Sequence, residues 1–278
     1  MTISQQGARA RVPIGAWALR AGVALWLFGL VGLPLTTLMV SALSTDASVW
    51  SQTLGSPVAQ SALWVSLWTS AVCALINGVM GTLVAWALVR WEMPGRDVIA
   101  SLVDLPLAVP TLVTGVLVVA LYGPQTFVGG ALESAGFPVA YAAPGVILAL
   151  VFVTLPLVVR AVEPVLRELD PAEEEAAAML GSSTWTTVRR VLLPPLVPAI
   201  AAGMVQTFAR ATAEFGSLSV VSGNIPFKTL TAPVYVLGEI EGGNVAGATV
   251  ASKVLLVAAL LMHGLGVYLG QLAGARHA

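Results

Sequence analysis

PAEEEAAAMLGSSTWTTVRRVLLP, residues 171–194, is a polar island between strongly apolar segments. Its first half reads as a helix. Asp170 supplies the capping side chain, Pro171 fits the first helical position, and Glu173 stands three residues after the cap, where a capping box places its acid. Glu174 and Glu175 add negative charge beside the positive end of the helix dipole. Ala176, Ala177, Met179 and Leu180 then make a small, flat apolar patch. Gly181 accommodates the left-handed backbone that ends a helix, and Ser182 or Ser183 caps a second helix carrying Trp185, Arg189 and Arg190. Pro194 and Pro195 are expected to stop that second helix where the next apolar run begins. The stretch therefore predicts a short helix, a tight turn and another short helix, tethered to the membrane at both ends. A small apolar face on an exposed helix suits insertion into a groove on another protein.

The surroundings of this island are built for lipid. The chain has 278 residues, of which 57% are hydrophobic and only 10% charged, against about 25% charged in a soluble domain. Mean hydropathy is +0.89. This is a multi-span, all-α membrane protein with little length left for a soluble domain. Runs long enough to cross a bilayer occupy residues 21–43, 61–89, 98–122, 143–162, 196–221 and 245–273, giving six spans. The first run exceeds the apolar core of a cleavable leader, so it is expected to be retained. The whole of 1–278 reads as one membrane domain, with a core about 57–273 and an extra N-terminal span about 16–43. Residues 230–237 are moderately apolar, and 229–241 suit a short helix at, or dipping into, the membrane surface.

Charge sets the orientation. Arg9, Arg11, Arg20, Arg90, Arg96, Arg160, Arg167, Arg189, Arg190 and Arg276 all fall on one side of the six-span arrangement. The opposite loops, 44–60, 123–142 and 222–244, hold only Lys228. The positive-inside rule then places both termini and the 171–194 stretch in the cytoplasm.

Several chemistries are excluded by what the residues lack. A phosphate-binding loop needs a lysine after a Gly-rich turn, but Lys228 follows Pro226-Phe227 and Lys253 follows Ala251-Ser252. ATP hydrolysis would have to come from another chain. Cys73 is the single cysteine, and His263 and His277 have no Cys, Asp or Glu at metal-ligand spacing. No nucleophile motif accompanies His263, which is expected to pack between helices. Lys253, near the end of the sixth span, is expected to snorkel to the interface.

Ionisable groups inside spans are costly and mark functional suspects. Asp104 stands beside Pro106 in the third span, and Arg210 and Glu214 stand four residues apart in the fifth. The pair suits either an internal ion pair that aids packing or an arginine placed where an anion passes. The third span, LVDLPLAVPTLVTG, carries Pro110, Thr111, Thr114 and Gly115 as well. A proline-broken helix with small polar residues suits a pore lining, and equally an ordinary kinked packing helix.

Glu175-Ala176-Ala177, then Gly181, then Val191-Leu192-Leu193-Pro194, at this spacing, resemble the EAA loop of ABC importer permeases, which favours isoleucine where Val191 stands. The resemblance implies that Glu175, Ala176, Ala177, Gly181, Leu193 and Pro194 form a cytoplasmic coupling helix and its flank, between spans four and five, docking on a separate ATPase. Asp104 through Thr111, Phe208 through Gly216 and Ser222 through Thr229 resemble the T-type sulfate/thiosulfate permeases; the W-type usually has histidine where Asn224 stands. The likeness covers roughly 63–260, and that family often has glycine where Ala213 stands. It implies a type I ABC importer permease fold in the bacterial cytoplasmic (inner) membrane, with Asp104, Pro110, Thr111, Thr114, Arg210, Glu214 and Asn224 as translocation-path candidates. It also implies a second permease (a W-type paralogue), an ATP-binding subunit dimer holding Mg-ATP, and a periplasmic or lipid-tethered anion-binding protein. No cofactor is expected in this chain, and no bond chemistry. Molybdate and tungstate permeases share the first two stretches and are the nearest rival reading. An ion-gradient-driven secondary transporter is the rival from another class, opposed by the EAA-like loop and the absence of inverted repeats.

The charge asymmetry yields a direct test. With Cys73→Ser as background, Asp46→Cys and Glu133→Cys should react with a membrane-impermeant thiol reagent in intact spheroplasts, while Glu92→Cys and Glu174→Cys should not. The opposite labelling pattern would invert the topology.

Overall fold

The computed structural model describes residues 14–43, 45–91 and 94–274. The expectations attached to Arg9, Arg11, Arg276 and His277 lie outside them. The described residues are helical, without strands, and fall into two units, Met1–Asp46 and Ala47–Ala278.

The first unit holds α1, residues 14–43, interrupted by a π turn at Phe28–Gly32. Nearly every face of α1 is apolar, as a spanning helix requires. The hydroxyls of Thr36 and Thr37 turn back to the Leu33 and Pro34 carbonyls, at 2.9 and 2.8 Å, so neither presents an unpaired group.

The second unit contains α2 (Ala47–Gly55), α3 (Pro57–Arg90), α4 (Arg96–Ala108), α5 (Thr111–Tyr122), α6 (Phe127–Ser134) and α7 (Ala143–Glu168). It continues with α8 (Pro171–Met179), α9 (Thr184–Thr212), α10 (Gly216–Val221), α11 (Ala232–Glu241) and α12 (Val245–Gly274). Among the described residues five helices are long and apolar enough to span, and α4 and α5, bent by 107° at their junction, pass the same test together. Five of the expected spans are present as single helices, and the third corresponds to the bent pair α4 and α5. The short helix expected in 229–241 is α11.

Four expectations need correction. The helix after Gly181 does not stop at Pro194. It runs on as α9 to Thr212, through a π turn at Val188–Leu192. A proline clashes with the carbonyl four residues back and donates no hydrogen bond. Widening the preceding turn so that Leu193 N–H reaches Val188 O makes room for Pro194, and Leu33 N–H reaches Phe28 O before Pro34 in the same way. Next, the fifth span ends at Thr212 rather than Val221, and Glu214 lies in the break that follows. Lys253 does not snorkel: it is buried, with its ammonium 5.8 Å from the centre of the Trp50 ring on α2. The indole face offsets part of the cost of burying that charge. Finally, His263 is exposed on α12, since the packed face of that helix carries Ala248, Val250 and Ala251.

α7 is the centre of the second unit, packed against α3 and α9. Three apolar clusters follow the axis. One at the α8 end includes Leu88, Val162, Leu166 and Leu192, a middle one includes Cys73, Leu150 and Leu218, and one at the far end joins Ala59 and Ala62 to Tyr235 and Ala251. Buried polar contacts tie α3 to α7, with Asn77 Nδ2 donating to Thr154 Oγ1 at 2.8 Å and Cys73 Sγ 3.4 Å from that oxygen.

α3, α7 and α9 cross closely at Val158. A Cβ on Gly81 of α3 would lie 2.7 Å from Val158 Cβ, and one on Gly203 of α9 would lie 3.0 Å from Val158 Cα. Lipid tails are as apolar as the side chains, so helices associate here through close backbone approach rather than through exclusion of water. Gly81→Leu should therefore push α3 off α7 and destabilise the fold by about 1–3 kcal/mol, as overpacking does. A matched drop in melting temperature in detergent would register this; an unchanged melt would mean the crossing is slack.

Candidate functional site

The first region is α8 and its flanks. Asp170 caps α8 by accepting from Ala172 N at 2.9 Å. At the other end Gly181 takes φ +78°, Gly181 N donates to Ala178 O at 2.9 Å and Ser182 N to Ala177 O at 3.0 Å. This is a Schellman closure, and only glycine holds that angle without cost. Ser183 caps α9 through Thr186 N at 3.3 Å. The apolar patch faces outward: Met179, Leu180 and Trp185 are 84%, 89% and 72% exposed. Glu175, Ala176, Leu193 and Pro194 are also exposed, and Ala177 is half-buried. Glu174 Oε1 lies 2.6 Å from Arg90 NH2 at the end of α3.

The second region is a pair of helix breaks that meet. Between α4 and α5, Val109 is extended (φ −80°, ψ 129°), as the residue before a proline must be, and Pro110 begins the next helix. Between α9 and α10, Ala213, Glu214 and Phe215 leave the helix. A Cβ on Gly216 would lie 2.3 Å from Thr111 Oγ1, and one on Gly115 would lie 2.5 Å from Ser217 O. Both positions must be glycine for the breaks to touch.

Glu214 organises this junction. Its carboxylate is buried, accepts from Arg210 NH1 at 2.6 Å, and accepts at Oε1 from Ser217 N at 3.1 Å and Ser217 Oγ at 3.2 Å. It thus pairs with the last turn of α9 and caps the first turn of α10. Arg210 keeps 43% of its side chain exposed. Thr111 is half-buried and Pro110 exposed, whereas Thr114 is buried, its hydroxyl without a hydrogen-bond partner among the described residues.

Asp104 and Asn224 lie elsewhere. Asp104 receives a two-pronged contact from Arg160 of α7, with Arg160 Nε donating to Oδ1 at 3.0 Å, and Arg160 NH1 also lies 3.5 Å from Glu163. Asn224 makes a turn. Its φ is +54°, its amide donates to Ser222 Oγ at 3.1 Å and its Nδ2 to Ser219 O at 3.2 Å. Asparagine tolerates that backbone angle better than most residues. Arg160, Arg90 and Ser217 are functional neighbours that the sequence reading missed. Ser217 had a signal, since a carboxylate three residues before an amide is capping spacing; the two arginines are distant in sequence and had none.

Residues 77–272 match the family described as binding-protein-dependent transport system inner membrane component. The chain is 42% identical to a probable sulfate transport system permease protein of Chlorokybus atmophyticus, covering 85% of this chain and 83% of that one. It is 35% identical to the sulfate transport system permease protein CysT of Escherichia coli K12, covering 83% of each. In fold it resembles a chain of a bacterial ABC transporter that imports the acidic polysaccharide alginate, with a TM-score of 0.74 at 18% identity over 92% of this chain and 94% of that one.

The Glu214 junction makes a graded prediction. Glu214→Ala should lower assembly most, because it removes the α10 cap and strands Arg210. Glu214→Gln, which keeps an acceptor for Ser217, should be milder. Arg210→Ala should cost about 2 kcal/mol if the pair is structural, with the double change partly restoring assembly. If Arg210 instead serves an anion path, Arg210→Ala assembles normally and transports poorly. Wild-type assembly and uptake in every variant would dismiss both roles.

Proposed function

The chain belongs to the binding-protein-dependent transport system inner membrane components, among the T-type sulfate permeases, and from that membership we propose that it is the transmembrane half-pore of an ATP-driven importer for sulfate and thiosulfate. It is a multi-pass membrane permease subunit, and ATP is hydrolysed by a separate chain. The observation that carries the mechanism is α8: a capped, rigidly closed helix between the fourth and fifth spans, with Met179 and Leu180 bared at its end.

In this reading α8 seats in a groove of an ATP-binding subunit that holds Mg-ATP, and closure of the ATPase dimer moves α8. Both termini and α8 face the cytoplasm. The core of about 57–273 forms the permease domain, with the span of about 16–43 appended. A W-type paralogue completes the pore, and a periplasmic or lipid-tethered protein delivers the anion. The meeting breaks form the passage. α5 and α10 begin there and α4 and α9 end there, so their helix dipoles largely offset, and it is the half-exposed Arg210 that attracts a dianion, while Glu214 cancels part of its field. Partial cancellation suits transport, because an anion held too strongly would not leave.

Two variants test the coupling. Gly181→Val forces a side chain into a left-handed angle at a cost of about 1 kcal/mol or more, which redirects α8. Ala177→Trp enlarges the face that seats. Both should leave the permease in the membrane yet abolish uptake and stimulation of ATP turnover by loaded binding protein in reconstituted vesicles. If both keep wild-type ATPase pull-down and wild-type stimulated turnover, α8 is not the coupling element.

A further inference from the structure

Neither helix needs the Arg90–Glu174 pair for its own stability. α8 is already capped by Asp170 and closed by Gly181, and α3 ends in an extended residue, Trp91, immediately after Arg90. Yet the two charges meet at 2.6 Å, with 18% and 30% of their side chains exposed. The contact is electrostatic, since neither Arg90 NH2 nor Glu174 Oε1 has a partner of hydrogen-bonding geometry. Among the described residues it is also the ion pair that joins α8 to a spanning helix to which it is not covalently linked.

That third attachment changes what α8 can do. A helix fastened only at its two ends, here to α7 and α9, can rotate about the line between them. A fixed point off that line removes the rotation and ties it to whatever holds the point. Arg90 ends α3, whose 34 residues reach about 50 Å at 1.5 Å per residue. At the opposite end Ala59 and Ala62 pack with Tyr235 of α11, and Ser66 Oγ accepts from Ala232 N, the first amide of α11, at 2.8 Å.

We propose that Arg90 is a positioning residue for coupling: its pair with Glu174 locks the orientation of α8 to α3, which carries movement of α8 to α11 at the far side of the membrane. The proposal rests on the reading of α8 as the coupling helix.

The test uses the complete complex of both permeases, ATPase and binding protein in vesicles, and reads labelled anion taken up per ATP hydrolysed. Arg90→Gln should retain assembly and ATPase pull-down but lower that ratio about fivefold or more, whereas Arg90→Lys should keep most of it and the exchange of Arg90→Glu with Glu174→Arg should restore it to within about twofold. Ala177→Trp serves as the reference for coupling as such. A wild-type ratio in Arg90→Gln beside an uncoupled Ala177→Trp overturns the role of Arg90 alone. Wild-type ratios in both overturn the reading of α8 and this proposal with it. Equal loss in Arg90→Gln and in the charge exchange, or loss of the ATPase from Arg90→Gln, also overturns it, because the pair would then not be what transmits.

Discussion

In hydrocarbon, an unsatisfied backbone N–H or C=O costs several kcal/mol, so a chain cannot leave its helix there without finding other partners. This one leaves it twice at the same place. The break at Val109–Pro110 uses a proline, which has no N–H to strand, and an extended residue that the proline itself enforces. The break after Thr212 is repaired by Glu214, whose carboxylate serves the α10 amide of Ser217 while Arg210 balances its charge. Gly115 and Gly216 let the two breaks come within contact distance. Glu214 is buried at this contact while Pro110, Ala213 and Phe215 stay exposed, and four helix ends converge there.

Around this junction the bundle is rigid by close approach. Val158 sits between Gly81 and Gly203, so α3, α7 and α9 cross with their backbones almost touching. The consequence is mechanical. α8 lies between α7 and α9 and is paired with α3; in the proposed coupling role, its displacement is passed to the three helices that meet at Val158. The π turn before Pro194 serves the same end, because it lets α9 continue through a proline where a break would have decoupled it.

Much of this was legible in the sequence, and the exceptions have physical causes. Local rules worked where the interaction is local: Asp170, Gly181 and Ser183 behave as cap, closure and cap, and hydropathy located the spans. Pro194 misled because proline ends helices in isolation, while a single widened turn, invisible in residue types, rescues it here. The Arg210–Glu214 pair was readable from its spacing, but not the α10 cap that Glu214 also supplies. Asp104–Arg160 and Arg90–Glu174 were out of reach, since each joins residues that only the packing of separate helices brings together. Lys253 misled for the same reason: near a helix end the default is to reach for water, and its burial beneath Trp50 is a tertiary fact.

The central claim is that an anion crosses this subunit by the work of a separate ATPase. The most direct measurement is uptake of labelled sulfate, thiosulfate and molybdate into vesicles holding the purified complex, with Mg-ATP supplied on the α8 side and loaded binding protein on the other. The account predicts accumulation of sulfate and thiosulfate that requires both additions and is indifferent to collapse of proton and sodium gradients. Uptake that proceeds without ATP and disappears when an ion gradient is collapsed would contradict it.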